Sequence, residues 1–554
     1  MQGLQNSPRF DLLVWPLAVA IGFFTILRSF PRKTNMSTHR PRNCRNLDGL
    51  DLEGILKGLE QGQFTSQDLV EVYTSKIKQF DDQVHAIAVL NPDANAIAAE
   101  RDQQRKGGNV KGKLHGVPVL LKDIFITHDK MDTTGGSYAL VGAKYKKEST
   151  IVTRLRESGA IILGKTNLSE WGMARSPNCV NGWSALFGQA LGPFHDSQDP
   201  QGSSSGSAIA ASLGLASMFL GGETCGSILY PAQRNSVVGL KPTVGLTSRA
   251  GTIPLNPEQD SIGPLSLWVK DTAIALMAIA GKDENDNATA GIPFDTIPDY
   301  LSACTISGLN GMRIAVPRSV YKVANSDPEI SVAFRSAVEM IQSLGATVVD
   351  DMDFEAWRPS AGLRDDLFGD VMLRESYESF FGDLAVNPHG IQNISDLIEF
   401  TKVVPEEHYD LLGAEWFENA RDAPGTSKSE RFLEVKAKME RYGEDVVKLL
   451  DHSQCDVLLA TSSTDLPLDL GGLPGISVPL GFYSEKRPVV TNARGLVTKG
   501  PNIPFAVTFA GRKFDEMKLL ACAYAFEQAT RIVEQNKDRM RLELQVDSPD
   551  CNRL

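Results

Sequence analysis

The chain has 554 residues, of which 42% are hydrophobic and 22% are charged, a balance typical of a globular protein with a large core. Its formal net charge is -12, which argues against a nucleic-acid-binding surface because such surfaces need clustered Lys and Arg. The first fifty residues depart from this balance, with seven basic and two acidic residues. The charge pattern therefore separates a basic N-terminal segment from an acidic main body.

An uncharged apolar run occupies residues 12–27, between Asp11 and Arg28. Its sixteen residues fall short of the ~20 that span a bilayer, so a spanning anchor and an interfacial helix are both open interpretations. Basic residues follow the run, which would leave the main body in the cytosol. A third interpretation places the start of translation at Met36. We therefore expect a protein that is cytoplasmic, or membrane-anchored with its main domain in the cytosol.

Cysteine and histidine patterns give no sign of a metal site. None of the seven cysteines forms a C-x-x-C pair, and the eight histidines include no H-E-x-x-H motif. An odd number of unclustered cysteines suits a reducing compartment. We expect neither a metal nor another cofactor. The cysteines are Cys44, Cys179, Cys225, Cys304, Cys455, Cys522 and Cys551.

Helix and strand signals alternate along the chain. The first predicted helix follows Ser66, which is expected to cap it. The predicted helices are residues 67–80, 150–158, 208–218, 329–344 and 514–535. Apolar runs rich in β-branched residues predict strands at residues 160–163, 312–317 and 346–350. The strand–helix–strand order over 312–350 is typical of an α/β fold with a parallel sheet.

The stretch GAIILGKT, residues 159–166, fits the phosphate-loop pattern G-x-x-x-x-G-K-[ST]. A phosphate loop needs an open turn whose backbone amides surround a phosphate, and a helix must follow it. Here the four middle residues are apolar, two of them are β-branched, and a predicted helix ends just before Gly159. We therefore predict a buried strand with Lys165 at its end. A nucleotide-binding protein remains the disfavoured alternative.

Two small-residue stretches, residues 202–207 and 221–227, are flanked by apolar sequence instead of linker sequence. Buried Gly/Ser loops present backbone N–H groups that can hold an anion or a developing oxyanion. A nucleophilic serine there needs a base, and no histidine lies between His195 and His389, so a Ser-His pair would form only at long range. Lys122 follows five apolar residues, and burial could neutralise its amine, although strand-end lysines are more often surface charges.

Taken together, the motifs of the chain resemble those of the amidase signature family. They follow the family's order from about residue 45 to about residue 540. They are LHGVPVLLKD (114–123), TTGGS (133–137), GAIILGKTNLSEWG (159–172), GSSSGSA (202–208), GETCGSI (222–228), VVGLKPTVGLTSR (237–249), DSIGP (260–264), GGLPGISVPLGF (471–482) and AFEQATR (525–531). The resemblance implies an α/β fold, a single large domain with a central mixed, mostly parallel sheet covered by helices. It also implies an N-terminal extension at 1–44, an amidase domain at 45–540 and a tail at 541–554.

The resemblance implies a Ser-Ser-Lys triad that hydrolyses amides through an acyl-enzyme. Lys122 matches the family's lysine, Ser203 its bridging serine, and Ser227, 24 residues later, its nucleophile. Neutral Lys122 would take a proton from Ser203, which would take one from Ser227 as it attacks the carbonyl carbon. The implied class is a hydrolase of linear amides, acting on C–N bonds other than peptide bonds.

The resemblance also assigns supporting roles around the nucleophile. Gly202 and Ser204 are expected to support the site, and the family holds the peptide before the bridging serine cis. Three departures stand out: Glu223 replaces a usual Asp, Cys225 a usual glycine, and Ile124 a common Asn. The first two resemble the peptide-amidase-like branch. The expected oxyanion hole is formed by the backbone N–H groups of Thr224, Cys225, Gly226 and Ser227.

One alternative within the family is the glutaminase subunit of a tRNA-dependent amidotransferase, which would need a partner protein. The acidic charge and the peptide-amidase-like motifs disfavour it. A non-catalytic relative is another alternative. The expected substrate is a small-molecule or peptide amide, held by parts of residues 360–435 and 484–505, and no nucleic-acid partner is expected. Membrane association through residues 12–27 and a homodimer are left open.

Overall fold

A computed structural model of the chain describes residues 47, 49–358, 365–462, 466–535 and 537–542. In these residues the strands are β1 (Ile87–Leu90), β2 (Pro118–Lys122), β3 (Lys144–Tyr145), β4 (Ile161–Thr166), β5 (Trp183–Ser184), β6 (Gly188–Gln189), β7 (Met218–Glu223), β8 (Val238–Lys241), β9 (Ser261–Ser266), β10 (Arg313–Ala315), β11 (Thr347–Val349), β12 (Leu384–Val386), β13 (Val457–Ala460), β14 (Gly475–Phe482), β15 (Val490–Thr491), β16 (Val497–Lys499) and β17 (Pro504–Ala510).

Helices cover the strands along the whole described chain. They are α1 (Leu52–Glu60), α2 (Ser66–Val84), α3 (Ala94–Lys106), α4 (Thr150–Glu157), α5 (Ser205–Ser212), α6 (Leu229–Arg234), α7 (Val269–Ile279), α8 (Arg318–Ala324), α9 (Pro328–Ser343), α10 (Asp366–Gly382), α11 (Ile394–Val403), α12 (Tyr409–Leu412), α13 (Glu415–Asp422), α14 (Glu430–His452), α15 (Glu516–Thr530) and α16 (Ile532–Gln535). Short 3₁₀ turns include Glu170–Met173 and Pro405–Glu407.

The central sheet has eleven strands in the order β1-β4-β2-β7-β9-β8-β14-β17-β13-β10-β11. This mixed sheet, with helices packed against it, confirms the predicted α/β class. The expectation that it would be mostly parallel is wrong for the described strands. Only four neighbouring pairs are parallel, β4–β2, β2–β7, β13–β10 and β10–β11, and the other six are antiparallel. The parallel pairs lie towards the two ends of the sheet, and the pairs in the middle, from β7 to β13, are antiparallel.

Most predicted elements are present with small shifts at their ends. The helix α2 begins at Ser66, but its cap is Thr65, whose side chain accepts the N–H of Asp68. The predicted helix from Phe514 begins only at Glu516, because Phe514 itself has a φ of 67°. It ends at Thr530, since Arg531 is left-handed and separates α15 from α16.

The small-residue region was predicted with the wrong boundary. The run expected to be helical over residues 208–218 divides into α5, which starts at Ser205, and the strand β7, which starts at Met218. Gly221 and Gly222 belong to β7 instead of a turn, and the turn follows Glu223. Alanine, serine and glycine carry little periodicity, so neighbouring strands rather than local pattern decide where the helix ends.

Two large groups of buried hydrophobic residues form the core. One surrounds β1, β2, β4 and β7 and includes side chains of α2, α4, α10 and α13. The other surrounds β10, β13, β14 and β17 and includes side chains of α7, α9 and α15. The central sheet runs through both groups of buried residues. Its middle strands therefore hold the loops at their ends in fixed positions.

The N-terminal predictions for residues 12–27 and Met36 lie outside the described residues. Within the described ranges, no helix is both long and apolar enough to cross a membrane. The boundaries 1–44, 45–540 and 541–554 therefore remain predictions.

Candidate active site

The strands β2 and β7 are parallel neighbours, so their carboxyl ends open at the same edge of the sheet. Lys122 is the last residue of β2, and Glu223 is the last residue of β7. The loop before α5 brings Ser203 to the same edge, where it contacts Lys122. The turn after β7 carries Ser227. The sheet therefore brings Lys122 and Ser203 into contact from segments far apart in sequence, and it places the turn that carries Ser227 beside the residue after Ser203.

Lys122 is almost fully buried, with 2% of its surface exposed. Its Nζ lies 2.7 Å from the Ser203 Oγ and donates a second hydrogen bond of 3.0 Å to the carbonyl oxygen of Gly222. Among the described residues, no carboxylate forms an ion pair with it. Burial lowers the pKa of Lys122 to about 7, although the charges of Glu223 and Asp260 oppose the shift. A large share of this amine is therefore neutral near pH 7 and able to accept a proton.

Ser203 is held by the start of α5. The peptide between Gly202 and Ser203 is cis, as the family resemblance implied. A Cβ on Gly202 would overlap the hydroxyl of Ser169, so a larger residue would have to displace that side chain. Ser204 donates its hydroxyl to the carbonyl oxygen of Gly222 at 3.1 Å, and its backbone N–H donates to the carbonyl oxygen of Ser227 at 3.0 Å. Ser204 thus joins the loop before α5 to β7 and to the nucleophile turn.

Ser227 is buried in the turn between β7 and α6. No hydrogen bond joins its hydroxyl to that of Ser203 among the described residues; the two segments are linked instead by the backbone N–H of Ser204, which donates to the carbonyl oxygen of Ser227. Catalytic hydrogen bonds of unliganded enzymes are often loose and tighten when substrate binds. Gly226 has a φ of 81°, and a Cβ there would overlap the ring of Tyr230, which explains why glycine precedes the nucleophile. Cys225 is exposed.

Two carboxylates that sequence analysis did not assign to the site shape this turn. Glu223 accepts the backbone N–H groups of Ile228 at 2.8 Å and Leu229 at 2.9 Å. Burial raises the pKa of Glu223. The charge of Lys241 and the backbone N–H groups of Leu229, Ile228 and Gly226 act in the opposite direction. Asp260 accepts the hydroxyl of Thr224 at 2.5 Å. Both residues lie in quoted family motifs, but only the fold shows that their carboxylates meet the nucleophile turn.

A small cavity lies against the amine of Lys122 and the hydroxyl of Ser203. Its volume is about 20 Å³, enough for about one water molecule. A much wider cleft of about 850 Å³ shares Thr252 and Asp260 with the cavity. Such a cleft has the size of typical ligand sites.

The phosphate-loop match is a buried strand, as predicted. Every residue of β4 is buried, and the strand pairs with β1 and β2, so no open loop surrounds a phosphate. Lys165 donates hydrogen bonds to Thr133 and to the carbonyl oxygen of Asp132, and it pairs with the Asp123 carboxylate at 3.6 Å. This geometry rules out the nucleotide-binding alternative for residues 159–166. Within the described ranges, no group of His, Cys, Asp and Glu side chains is arranged to hold a metal ion.

Comparison with known proteins decides the family. The sequence profile of the amidase family matches residues 68–520. The chain belongs to the amidase signature family. This confirms the resemblance carried by the motifs and supports amide hydrolysis as the reaction class.

Similar proteins cover nearly the whole length of this family member. A candidate amidase of Arthroderma benhamiae is 40% identical over 500 residues, 85% of this chain and 84% of that protein. A glutamyl-tRNA(Gln) amidotransferase subunit of Myxococcus xanthus is 32% identical, over 87% of this chain and 97% of its own. The crystal structure of peptide amidase from Stenotrophomonas maltophilia superimposes with a TM-score of 0.79 at 33% identity, over 88% of this chain and 98% of that one.

Proposed function

We propose that the protein is an ATP-independent amide hydrolase in which Ser227 is the nucleophile, Ser203 the bridging residue and Lys122 the base. The contact between Lys122 Nζ and Ser203 Oγ, 2.7 Å long and shielded from solvent, carries this proposal. An ammonium has only donors, whereas a neutral amine has a lone pair that can accept the serine proton. A pKa of about 7 makes that neutral form available near neutral pH.

The reaction begins when the neutral amine of Lys122 takes the proton of Ser203 and Ser203 takes the proton of Ser227. Ser227 Oγ then bonds to the amide carbon, and the carbonyl electron pair moves to oxygen. As the tetrahedral intermediate collapses, the C–N bond breaks and the proton returns through Ser203 to the leaving nitrogen. Water attacks the resulting ester along the same proton route and releases the acid. The products are a carboxylic acid and ammonia or an amine.

The backbone N–H groups of Thr224, Cys225, Gly226 and Ser227 are the proposed donors to the oxyanion. Glu223 supports this role, because its hydrogen bonds to Ile228 and Leu229 hold the start of α6 against the end of β7. The N–H of Gly226 also acts on the Glu223 carboxylate and opposes the rise of its pKa. Gly202 and Ser204 keep Ser203 beside the amine.

Replacing Ser227 with alanine tests the chemistry directly. We expect Ser227→Ala to lower kcat/KM for a hydrolysed carboxamide by a factor on the order of 10³ or more, because no nucleophile remains. Ser212→Ala is the matched control: Ser212 is also buried, lies at the far end of α5, and its hydroxyl has no hydrogen-bond partner among the residues that the structure describes. It should leave turnover unchanged. Undiminished turnover in Ser227→Ala would remove the proposal.

A fluorophosphonate probe supplies a second readout that needs no known substrate. The wild-type protein should be labelled at Ser227, and Ser227→Ala should not be labelled. Peptide mapping of the labelled protein locates the modified serine. Absence of labelling in the folded wild type would favour a non-catalytic family member.

The substrate is proposed only as a small-molecule or peptide amide. The wide cleft beside Thr252 and Asp260 has room for a chain larger than the amide group itself. A screen of purified protein against peptide amides, fatty amides and aryl amides would identify the class. Membrane association through residues 12–27 and a cytosolic main domain also remain proposals, which a protease-protection assay in cells tests.

The similarity to an amidotransferase component keeps a second candidate function open. In that case the protein would hydrolyse glutamine and pass ammonia to a partner protein. The measurement is glutaminase activity of the purified chain, with and without extract fractions from its own source. Glutamine hydrolysis that appears only with a copurifying partner would favour this second function.

A further inference from the structure

Ile124 lies two residues after Lys122 and is 6% exposed. It packs directly on Gly222, since a Cβ built on Gly222 would lie 2.6 Å from the Ile124 Cδ1. The carbonyl oxygen of the same Gly222 accepts the hydrogen bond of the Lys122 amine. Ile124 therefore covers the one residue that, together with Ser203, holds the amine in place. No step of the proposed reaction uses this side chain.

The cavity beside the amine has an apolar wall. Ile124 shares that wall with Ile253, Leu255 and Ile262, and the cavity holds no more than about one water molecule. Leu255 closes the side near Gly172, where a Cβ on the glycine would lie 3.1 Å from its Cδ1. Aliphatic side chains offer water no hydrogen bond. The rest of the lining is polar and includes Thr224, Thr252 and Asp260, so the aliphatic side chains are the part of the lining that limits hydration of the amine.

The charged groups around this amine are already committed elsewhere. Glu223, at the end of β7, accepts two backbone N–H groups of α6. Asp260, just before β9, accepts the Thr224 hydroxyl and the backbone N–H groups of Leu255 and Asn256.

The remaining charges near this edge of the sheet form pairs of their own. Lys165 on β4 pairs with Asp123. Glu170, in the turn that contains Gly172, pairs with Arg175. None of these four side chains lines the cavity beside Lys122.

We propose that Ile124 is a positioning residue that keeps water from the amine of Lys122 and thereby sets the lower pH limit of the reaction. This inference rests on the proposed function, because it concerns the base of that reaction. The side chain at this position is aliphatic, so it can form no hydrogen bond with the amine or with water. An amide side chain would offer hydrogen bonds to the amine and to water, and both favour the charged ammonium.

The test is the pH dependence of kcat/KM in two variants of nearly equal shape. Ile124→Val keeps the cavity wall apolar. Ile124→Thr has almost the same volume as the valine variant but carries a hydroxyl in place of one methyl group. The acid limb is the fall of kcat/KM at low pH, and the valine variant should keep it at the wild-type position. The threonine variant should move it upward by about half a pH unit, which is roughly a 3-fold loss on the acid side and none at high pH. Ile124→Asn should move it by about one unit, a loss of roughly 10-fold.

The direction of the shift identifies the titrating group. Water entering the cavity raises the pKa of an amine but lowers the pKa of a carboxylate, since it favours the charged form of each. An upward shift therefore belongs to Lys122, and a downward shift would belong to Glu223 or Asp260. A downward shift, or identical limbs in the valine and threonine variants, overturns the inference.

Ile126→Asn is the matched control, because Ile126 is equally buried but lines the wide cleft rather than the small cavity. Because that cleft is the proposed substrate site, the absolute rate can change, but the pH at which kcat/KM falls should stay the same; an equal shift there would contradict a specific role for Ile124. Thermal unfolding shows whether each variant is folded; if Ile124→Asn is not, the valine and threonine pair still decides the question. Failure of the proposed function is separate, because it would appear as undiminished turnover in Ser227→Ala.

Discussion

Two buried lysines stand at the ends of neighbouring parallel strands and serve different purposes. Lys122 ends β2, and Lys165 is the next-to-last residue of β4. In the strand register, Lys165 pairs with Leu121 and Lys122 pairs with Thr166. Because side chains alternate along a strand, the two lysines point to opposite faces of the sheet. One meets Ser203, and the other meets Asp123.

The two lysines differ in the groups that contact their amines and not in how deeply they are buried. Burial lowers the pKa of both amines, but the nearest carboxylate of Lys165, that of Asp123, opposes the shift at ion-pair distance. Within the part of the chain that the structure describes, Lys122 has only a hydroxyl and a carbonyl oxygen as hydrogen-bond partners. A buried lysine with a carboxylate in reach is a structural ion pair, whereas one without can lose its proton and act as a base.

Among the substitutions that test this comparison of lysines, replacing Lys122 should have the largest effect. We expect Lys122→Met to lower kcat/KM by a factor on the order of 10³ or more, because the proton route from Ser227 ends at this amine. In the wild type, kcat/KM should fall as the pH drops below about 7, since protonation removes the lone pair. Steady-state rates between pH 5 and pH 9 measure the loss in the variant and the pH dependence of the wild type. The residual activity of the variant should no longer fall at low pH.

The stability of the same variant checks the assignment independently. Because the pKa of Lys122 is lowered in the folded state, the unfolded chain binds more protons between about pH 7 and the ordinary lysine value of 10.5. Wild-type stability should therefore rise with pH through that window, and Lys122→Met should lack that part of the rise. Urea unfolding at several pH values gives the difference. Equal slopes for both proteins would contradict a neutral, buried amine.

Replacing Lys165 should affect stability more than chemistry. Lys165→Met leaves the Asp123 carboxylate buried without its cation, a loss that typically costs ~3–5 kcal/mol of unfolding free energy. One Asp123 oxygen still accepts from Thr134, while the other has no hydrogen-bond partner within the described ranges, so the cation is its main support. Adding Asp123→Asn should recover part of the loss. A single variant as stable as the wild type would show that burial without a partner is tolerated here.

Local pattern was enough to place these lysines but not to separate their roles. The apolar run before Lys165 predicted a buried strand correctly, because β-branched residues between glycines fit few other structures. The resemblance to a known family, and not spacing, singled out Ser203 and Ser227 as partners of Lys122. The structure confirms the contact with Ser203, whereas the roles of all three remain predictions.

The sequence did not predict the hydrogen bonds that depend on how distant or folded-back segments meet. The hydrogen bonds from Ile228 and Leu229 to Glu223 depend on how a turn folds back on its own strand. The contact between Thr224 and Asp260 joins two motifs 36 residues apart, and no periodicity reports such a pairing. The same limit explains the wrong expectation of a mostly parallel sheet, since strand direction follows from connections rather than from strand composition.

An exposed lysine at the rim of the wide cleft should show the smallest effect. Lys146 donates to the carbonyl oxygen of Gly382 at 3.1 Å and pairs with Asp383 at 3.5 Å, with both side chains more than half exposed. Water already solvates both charges, so Lys146→Ala should change the free energy of unfolding by ~0–1 kcal/mol. Urea unfolding of this variant, of Asp383→Ala and of the pair gives the coupling energy. A coupling as large as that between Lys165 and Asp123 would mean that burial does not separate these lysines, and the comparison would fail.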